Sequence, residues 1–279
     1  MSRIIKHQVG DIEVIALTDG TGEFSNEQFP ETKPDEIATL IAAAGHDTIK
    51  TNFNAFLIRT KDHLTLVDAG LRDLAGPSAG FLPDALAEAG VDNDDITRLF
   101  VTHMHPDHIA GAITPDGKAV FANAQLQLNE DERALWSDPS NFSGASEEAQ
   151  NYQQLAQTVL DAFADRIAPF TGAADLGQGI NVLPLPGHTV GHSGLRVSSG
   201  ADQFIMAGDI VHAQTLQLAN PNIGVVFDMD GGQAAEARKN MLDMLATDNI
   251  PFSGGHIQQP AIGRVAKSGD GYVYSSLTD

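Results

Sequence analysis

The 279-residue sequence contains no cysteine. Disulfides, thiolate nucleophiles and zinc–thiolate sites are therefore excluded, and any transition metal has to be held by nitrogen and oxygen. Basic residues are also scarce. Sixteen Lys and Arg stand against 37 Asp and Glu, a formal net charge of −21. That field repels polyanions, so it disfavours nucleic acid or an anionic membrane as a partner and suits a small neutral substrate, although charge of this kind also serves solubility. No window approaches the roughly 18 consecutive apolar residues of a spanning helix. The opening MSRIIKHQVGDIEV reads as a charged and then alternating segment, without the apolar stretch of a signal peptide. The expectation is a soluble cytoplasmic protein. Low-complexity linkers and 20–50-residue repeats are missing too, which removes solenoids. The length allows either one large domain or two ordinary ones.

What is present is a mixture of strands and helices in both halves. Short apolar runs at 11–17, 54–58, 64–67 and 97–102, then at 180–185, 194–197, 203–206 and 251–253, predict strands. Helical periodicity predicts helices over 34–44, 82–89, 124–136, 147–164 and 232–246. The turn-rich stretch 137–149, SDPSNFSGASEEA, reads as a solvated connection rather than a lid.

Histidine is unevenly spread: three of the ten fall within VTHMHPDHIAG at 101–111. The β-branched and aromatic run before it predicts a buried strand, so the motif sits at a strand's carboxyl end. Side chains two apart in extended chain share a face, which lets His103 and His105 converge on one point. Pro106 breaks the strand, and a turned chain after it would aim Asp107 and His108 at a second point nearby. Burying four such side chains without a cation would leave polar groups unsatisfied, so the cluster reads as a metal site. His7, His46 and His63 are isolated and read as ordinary surface or core residues.

Three later strand ends offer further ligands. His188 lies in the glycine-flanked turn PGHTVGHSG, where the backbone can approach a metal closely. Asp209 follows the apolar run FIMAG, and His256 follows FSGG. One such pair alone would be a turn or a cap more often than a ligand. Together, in this order, they point to a metal centre.

These residues resemble the metallo-β-lactamase superfamily, whose pattern is HxHxDH, then a histidine in a GHTxGH turn, an aspartate after a strand, and a final histidine. The likeness spans the chain and includes LVDAG at 66–70. It implies one metal on His103, His105 and His188, a second on Asp107, His108 and His256, and Asp209 bridging them. Asp107 and Asp209 are then also the candidate catalytic carboxylates. It further implies an α/β fold, an αββα four-layer sandwich, with residues 1–279 forming one domain and a homodimer as the working unit. Zinc is the first expectation for the two divalent ions, with Mn²⁺, Co²⁺ or Fe²⁺ as alternatives, because His/Asp sites accept several.

Within the superfamily, aspartate at 209 is unlike the zinc β-lactamases that carry cysteine there. The acidic charge disfavours the tRNA-processing nucleases. The tail at 263–276 reads as a β-hairpin, not as the helical region of glyoxalase II. VGDIEVIALTDGTGEF, GDIVH at 208–212, VVFDMD at 225–230 and AIGRV with GDGYVY near the end resemble the methyl parathion hydrolase and quorum-quenching lactonase branch. The expected reaction is attack of a metal-shared hydroxide on a lactone or ester, with phosphotriester hydrolysis as the alternative. A redox enzyme on the same fold is a further alternative. The complete ligand set argues against a mononuclear dioxygenase, and histidine at 105, where diiron reductases carry glutamate, argues against those.

Asp68 is a candidate partner for the outer nitrogen of a ligand histidine. His192 and His212 are each either a support for the site or a satisfied core histidine. Phe24, Phe29, Phe227 and the stretch 216–226 are candidate pocket walls by the same resemblance, although phenylalanine is commonly core.

Overall fold

A computed structural model describes residues 2–277. The described strands form two seven-stranded sheets. The first contains β1 (Ile4–Val9), β2 (Ile12–Phe24), β3 (Ile49–Arg59), β4 (Leu64–Val67), β5 (Arg98–Phe100), β6 (Gln125–Asn129) and β7 (Ile167–Phe170). The second contains β8 (Asp175–Gly177), β9 (Ile180–Pro184), β10 (Ser193–Ser199), β11 (Asp202–Met206), β12 (Phe252–Ser253), β13 (Gly263–Ser268) and β14 (Gly271–Ser276). In both, spatial order follows chain order. The helices are α1 (Pro34–Ala43), α2 (Leu82–Glu88), α3 (Pro106–Ile109), α4 (Glu130–Ser137), α5 (Glu147–Ala162), α6 (Gln214–Gln217) and α7 (Gly231–Asp248).

The strand pairs β4/β5, β5/β6, β6/β7 and β11/β12 are parallel. Parallel neighbours need a crossover, and α2 to α7 sit in those crossovers. Strand alternation then sorts side chains into layers. In β5, Leu99 joins the outer core with Leu86 of α2 and Val159 of α5, while Phe100 joins the core between the sheets. There Phe100 stacks on Phe170, centroids 5.5 Å apart, and shares the layer with Val182, Leu195 and Phe204 of the second sheet. Each such side chain stabilises by roughly 1.5–3 kcal/mol on burial. On the far side of the second sheet, Ile205 and Phe252 pack with Leu242 and Leu245 of α7. The four layers are helix, sheet, sheet, helix, as expected.

One expectation fails locally. The segment predicted as one helix over 124–136 is strand β6 followed by α4. Its first half is held as a strand between β5 and β7, and the chain turns helical only after Asn129, whose side chain caps the Asp131 N–H at 2.8 Å. The connection 137–149 is mostly exposed, as expected, with one buried anchor. Its Phe142 is buried and stacks on Trp136, centroids 4.9 Å apart. Strands β7 and β8 carry no sequence signal strong enough to separate them from their flanking turns, whereas the alternating N-terminal segment holds β1 and the predicted hairpin at 263–276 is β13 and β14.

Candidate metal centre

Chain direction places five strand ends at one edge of the sandwich. Asp68 follows β4, His103 to His108 follow β5, His188 follows β9, Asp209 follows β11 and His256 follows β12. All seven expected ligands meet there, in two groups whose donor atoms lie within 4.8 Å of one another: His103, His105 and His188, and Asp107, His108, Asp209 and His256.

In the first group, His103 Nε2, His105 Nδ1 and His188 Nε2 are 3.0–3.1 Å apart. Their outer neighbours decide which nitrogens face inward bare. His188 Nδ1 donates to Asp228 Oδ1 at 2.9 Å. His103 Nδ1 donates to Thr102 Oγ1 at 3.1 Å, because that hydroxyl spends its own proton on Asp68 Oδ2 at 2.9 Å. His103 and His188 therefore turn a lone pair toward the same point, where His105 Nδ1 joins them. Burial, reinforced by neighbouring histidines, pushes the pKa of His103 and His188 well below the imidazole value, and burial pushes His105 down to about 4. Converging bare lone pairs at this spacing fit a cation.

The second group is held by opposite charges. Asp209 Oδ2 lies 2.9 Å from His256 Nε2 and 3.2 Å from His108 Nε2, and Asp107 Oδ2 lies 3.4 Å from both nitrogens. Here too the outer Nδ1 atoms are committed: that of His108 to Asp68 Oδ2 at 2.8 Å and that of His256 to the Asn52 carbonyl at 2.9 Å. Burial opposes all four charged forms, but their mutual attraction outweighs it. Asp107 falls to about 2, Asp209 falls well below the carboxylate range, and His108 and His256 rise. Two carboxylates facing two imidazole nitrogens whose outer atoms are committed form a donor set a divalent ion would take.

Asp209 joins the groups, since its Oδ2 is also 3.6 Å from His188 Nε2 and 3.8 Å from His103 Nε2. Its Oδ1 is buried without a hydrogen-bond partner, and a Cβ on Gly255 would come within 2.4 Å of it. An orphaned carboxylate oxygen in a cradle kept open by glycine fits a metal ligand.

The supporting residues also resolve. Asp68 takes its expected place, with φ of +61°, and accepts the Thr102 N–H at 2.8 Å besides His108. His192 is a support: Nδ1 donates to the Leu185 carbonyl at 2.8 Å, leaving Nε2 to accept the Asp209 N–H at 2.9 Å. His212 lines the centre, its Nε2 3.3 Å from Asp209 Oδ2 and its ring stacked on His256. Neither His7, His46 nor His63 enters either donor group. Of the candidate walls, Phe29, Leu216, Ile223 and Val225 are core, whereas Phe227 is partly exposed and lies 6.1 Å from the His212 ring.

Two carboxylates escape sequence reasoning. Asp228 partners His188 and faces the buried Arg238, Oδ2 to Nη2 3.6 Å, but next to the cap residue Asp230 it looks like one more turn aspartate. Glu132 is buried beneath the site, yet stands in the run EDER with nothing to mark it.

A family model for the metallo-beta-lactamase superfamily matches residues 51–256. The chain belongs to that superfamily. No curated protein sequence gives a match. Among solved structures, this superfamily member is similar to AidC, a dizinc quorum-quenching lactonase solved with a product N-acyl-L-homoserine. Identity is 26%, TM-score 0.92, and 100% of this chain and 98% of that one are covered. It is equally similar to the hydrolase AbOPH, with 27% identity, TM-score 0.92, and 100% and 99% covered. A probable metal-dependent hydrolase from Staphylococcus aureus shares the fold at 20% identity and TM-score 0.80, over 98% and 99% of the two chains. Family, fold and donor set make the protein a metal-dependent hydrolase, and its two donor groups, with a dizinc neighbour, support two divalent ions. No described helix is long and apolar enough to cross a membrane.

Proposed function

We propose that the chain is a dinuclear zinc hydrolase that opens lactones or cleaves esters, with N-acyl-homoserine lactones as the first substrate class. The single observation carrying the two-metal reading is the position of Asp209 Oδ2 between the donor groups, 2.9 Å from His256 and 3.6 Å from His188. His103, His105 and His188 would hold one ion, Asp107, His108 and His256 the other, and Asp209 both. Such ions, when bound, would supply Lewis-acid activation of water, whose pKa falls from ~15.7 toward ~7, and of a carbonyl oxygen. The remaining work belongs to the chain. Asp228, Asp68, Thr102 and the Asn52 carbonyl fix the rings, so little reorganisation is left for the reaction. Among the seven, His105 and Asp107 are the residues that keep some exposure, so substrate approaches over them.

A neutral, apolar-tailed substrate is supported by the rim. Val190, Val226, Phe227 and Met229 are exposed, and the Met229 N–H donates to the His188 carbonyl at 3.0 Å, which places this apolar surface beside the site. The AidC likeness at 26% identity over the whole chain points the same way.

The test is a hydrolysis panel of N-acyl-homoserine lactones, aryl esters, a phosphotriester and a β-lactam, run on protein of measured metal content. Two zinc ions per chain and the highest kcat/KM on a lactone are expected. Preference for the phosphotriester would overturn the substrate class, and one iron per chain without hydrolysis would overturn the reaction class.

A further inference from the structure

We propose that Glu132 is a positioning residue for the three-histidine metal position more than for the second. The inference rests on the two-metal reading above. Glu132 lies in α4, is fully buried, and accepts four hydrogen bonds that its two oxygens divide by destination. Oε1 takes the Met104 N–H at 3.0 Å and the Trp136 indole N–H at 2.7 Å. Oε2 takes the Thr189 hydroxyl at 2.7 Å and the Gly191 N–H at 3.0 Å.

Each donor adjoins a ligand of one group. Met104 lies between His103 and His105, Trp136 sets its ring edge against His105 with centroids 5.9 Å apart, and Thr189 follows His188. One oxygen thus holds the loop after β5, and the other holds the turn after β9. Because a carboxylate is rigid, the separation of its oxygens fixes the separation of two backbone segments from opposite sheets. Those segments carry three nitrogens that stand 3.0–3.1 Å apart. Glu132 shares no hydrogen bond with Asp107, His108, Asp209 or His256; His108, His256 and Asp209 are held by Asp68, the Asn52 carbonyl and His192.

The close packing of the turn is a second, independent sign. A Cβ at Gly191 would come within 2.7 Å of the Glu132 backbone nitrogen and 2.8 Å of its Cβ, so the turn is seated directly on this residue. A buried carboxylate with four donors and no cationic partner among them is costly to keep for packing alone. Here its acceptor capacity is spent on the metal-site loops.

Two substitutions separate the role from general stability. E132Q keeps the volume but leaves one acceptor oxygen, so its amide N–H atoms face donors of one loop. T189V removes one donor and keeps every other contact. Metal binding by the purified chain is measured by chelator competition with Zn²⁺, together with the visible spectrum of the Co²⁺-loaded protein. In E132Q, one of the two ions is expected to weaken by about 10- to 100-fold while the other keeps its affinity, the usual size for a lost outer hydrogen bond. The Co²⁺ bands of one position should shift, and kcat should fall with KM little changed. T189V should weaken the same ion by a smaller factor. It decides the matter if E132Q does not fold. Wild-type affinity for both ions with an unaltered Co²⁺ spectrum would overturn the proposal, as would equal weakening of both ions. A wild-type chain that takes up only one ion would overturn the two-metal reading itself, which is a distinct result.

Discussion

His192 Nε2 accepts the backbone N–H of Asp209 at 2.9 Å, and its Nδ1 is committed to the Leu185 carbonyl. A histidine that is not a ligand therefore places the carboxylate shared by both donor groups. Gly208 makes the approach possible: its φ is +53°, and a Cβ there would come within 2.3 Å of the same nitrogen. Replacing His192 by Phe leaves a buried N–H and a buried carbonyl unpaired. A stability loss of about 1–3 kcal/mol per unsatisfied group is expected. Urea unfolding of the metal-free protein checks it, and an unchanged midpoint would refute the assigned bond.

Asp209→Ala removes the oxygen common to both groups. Metal content by mass spectrometry should drop below two ions per chain, and hydrolytic activity should fall with it. Full activity in this variant would show that the shared oxygen has been misassigned.

Asp228→Asn keeps an acceptor for His188 Nδ1 but withdraws the charge, and it leaves the buried Arg238 without its counterion. Loss of such an outer partner weakens metal binding by about 10- to 100-fold. Chelator competition measures it, and removal of the Arg238 partner should also lower the melting temperature.

Gly255→Ala puts a methyl group 2.4 Å from Asp209 Oδ1 and 3.0 Å from His108 Cε1. The added carbon occupies the cradle of the second group, so metal occupancy should fall. Crystals of the variant with both ions in place and unmoved ligands would contradict this.

Chelation should lower the melting temperature, and added Zn²⁺ should restore it. An ion bound only by the native state stabilises by about 4.1 kcal/mol when its free concentration is 1,000 times Kd. Calorimetry with and without EDTA reads the difference directly, and identical melting curves would mean that the site does not bind.

The candidate ligands were legible because their chemistry is local. HxHxDH at a strand end, and Gly-His or Gly-Asp at three others, can be recognised residue by residue, and LVDAG marked Asp68 in the same way. Short apolar strands and the terminal hairpin were legible for a similar reason, since period and turn residues are short-range signals, although β2 and β3 run well beyond the predicted 11–17 and 54–58. The run 124–136 was not: a five-residue strand and the helix after it merge into one apolar pattern, and only pairing on both sides makes β6 a strand.

By itself, then, the sequence determined which atoms can hold metal, the absence of sulfur ligands, and the αββα class through its superfamily resemblance. Tertiary structure decided the partners. Asp228 and Glu132 look like any other acidic residues in an acidic chain, and His192 like another candidate ligand, until folding buries them. Burial removes water as the competing acceptor, so each buried donor has to find a particular oxygen or nitrogen. Which one it finds depends on segments as much as 204 residues apart, as with His256 and Asn52, and no local pattern records that.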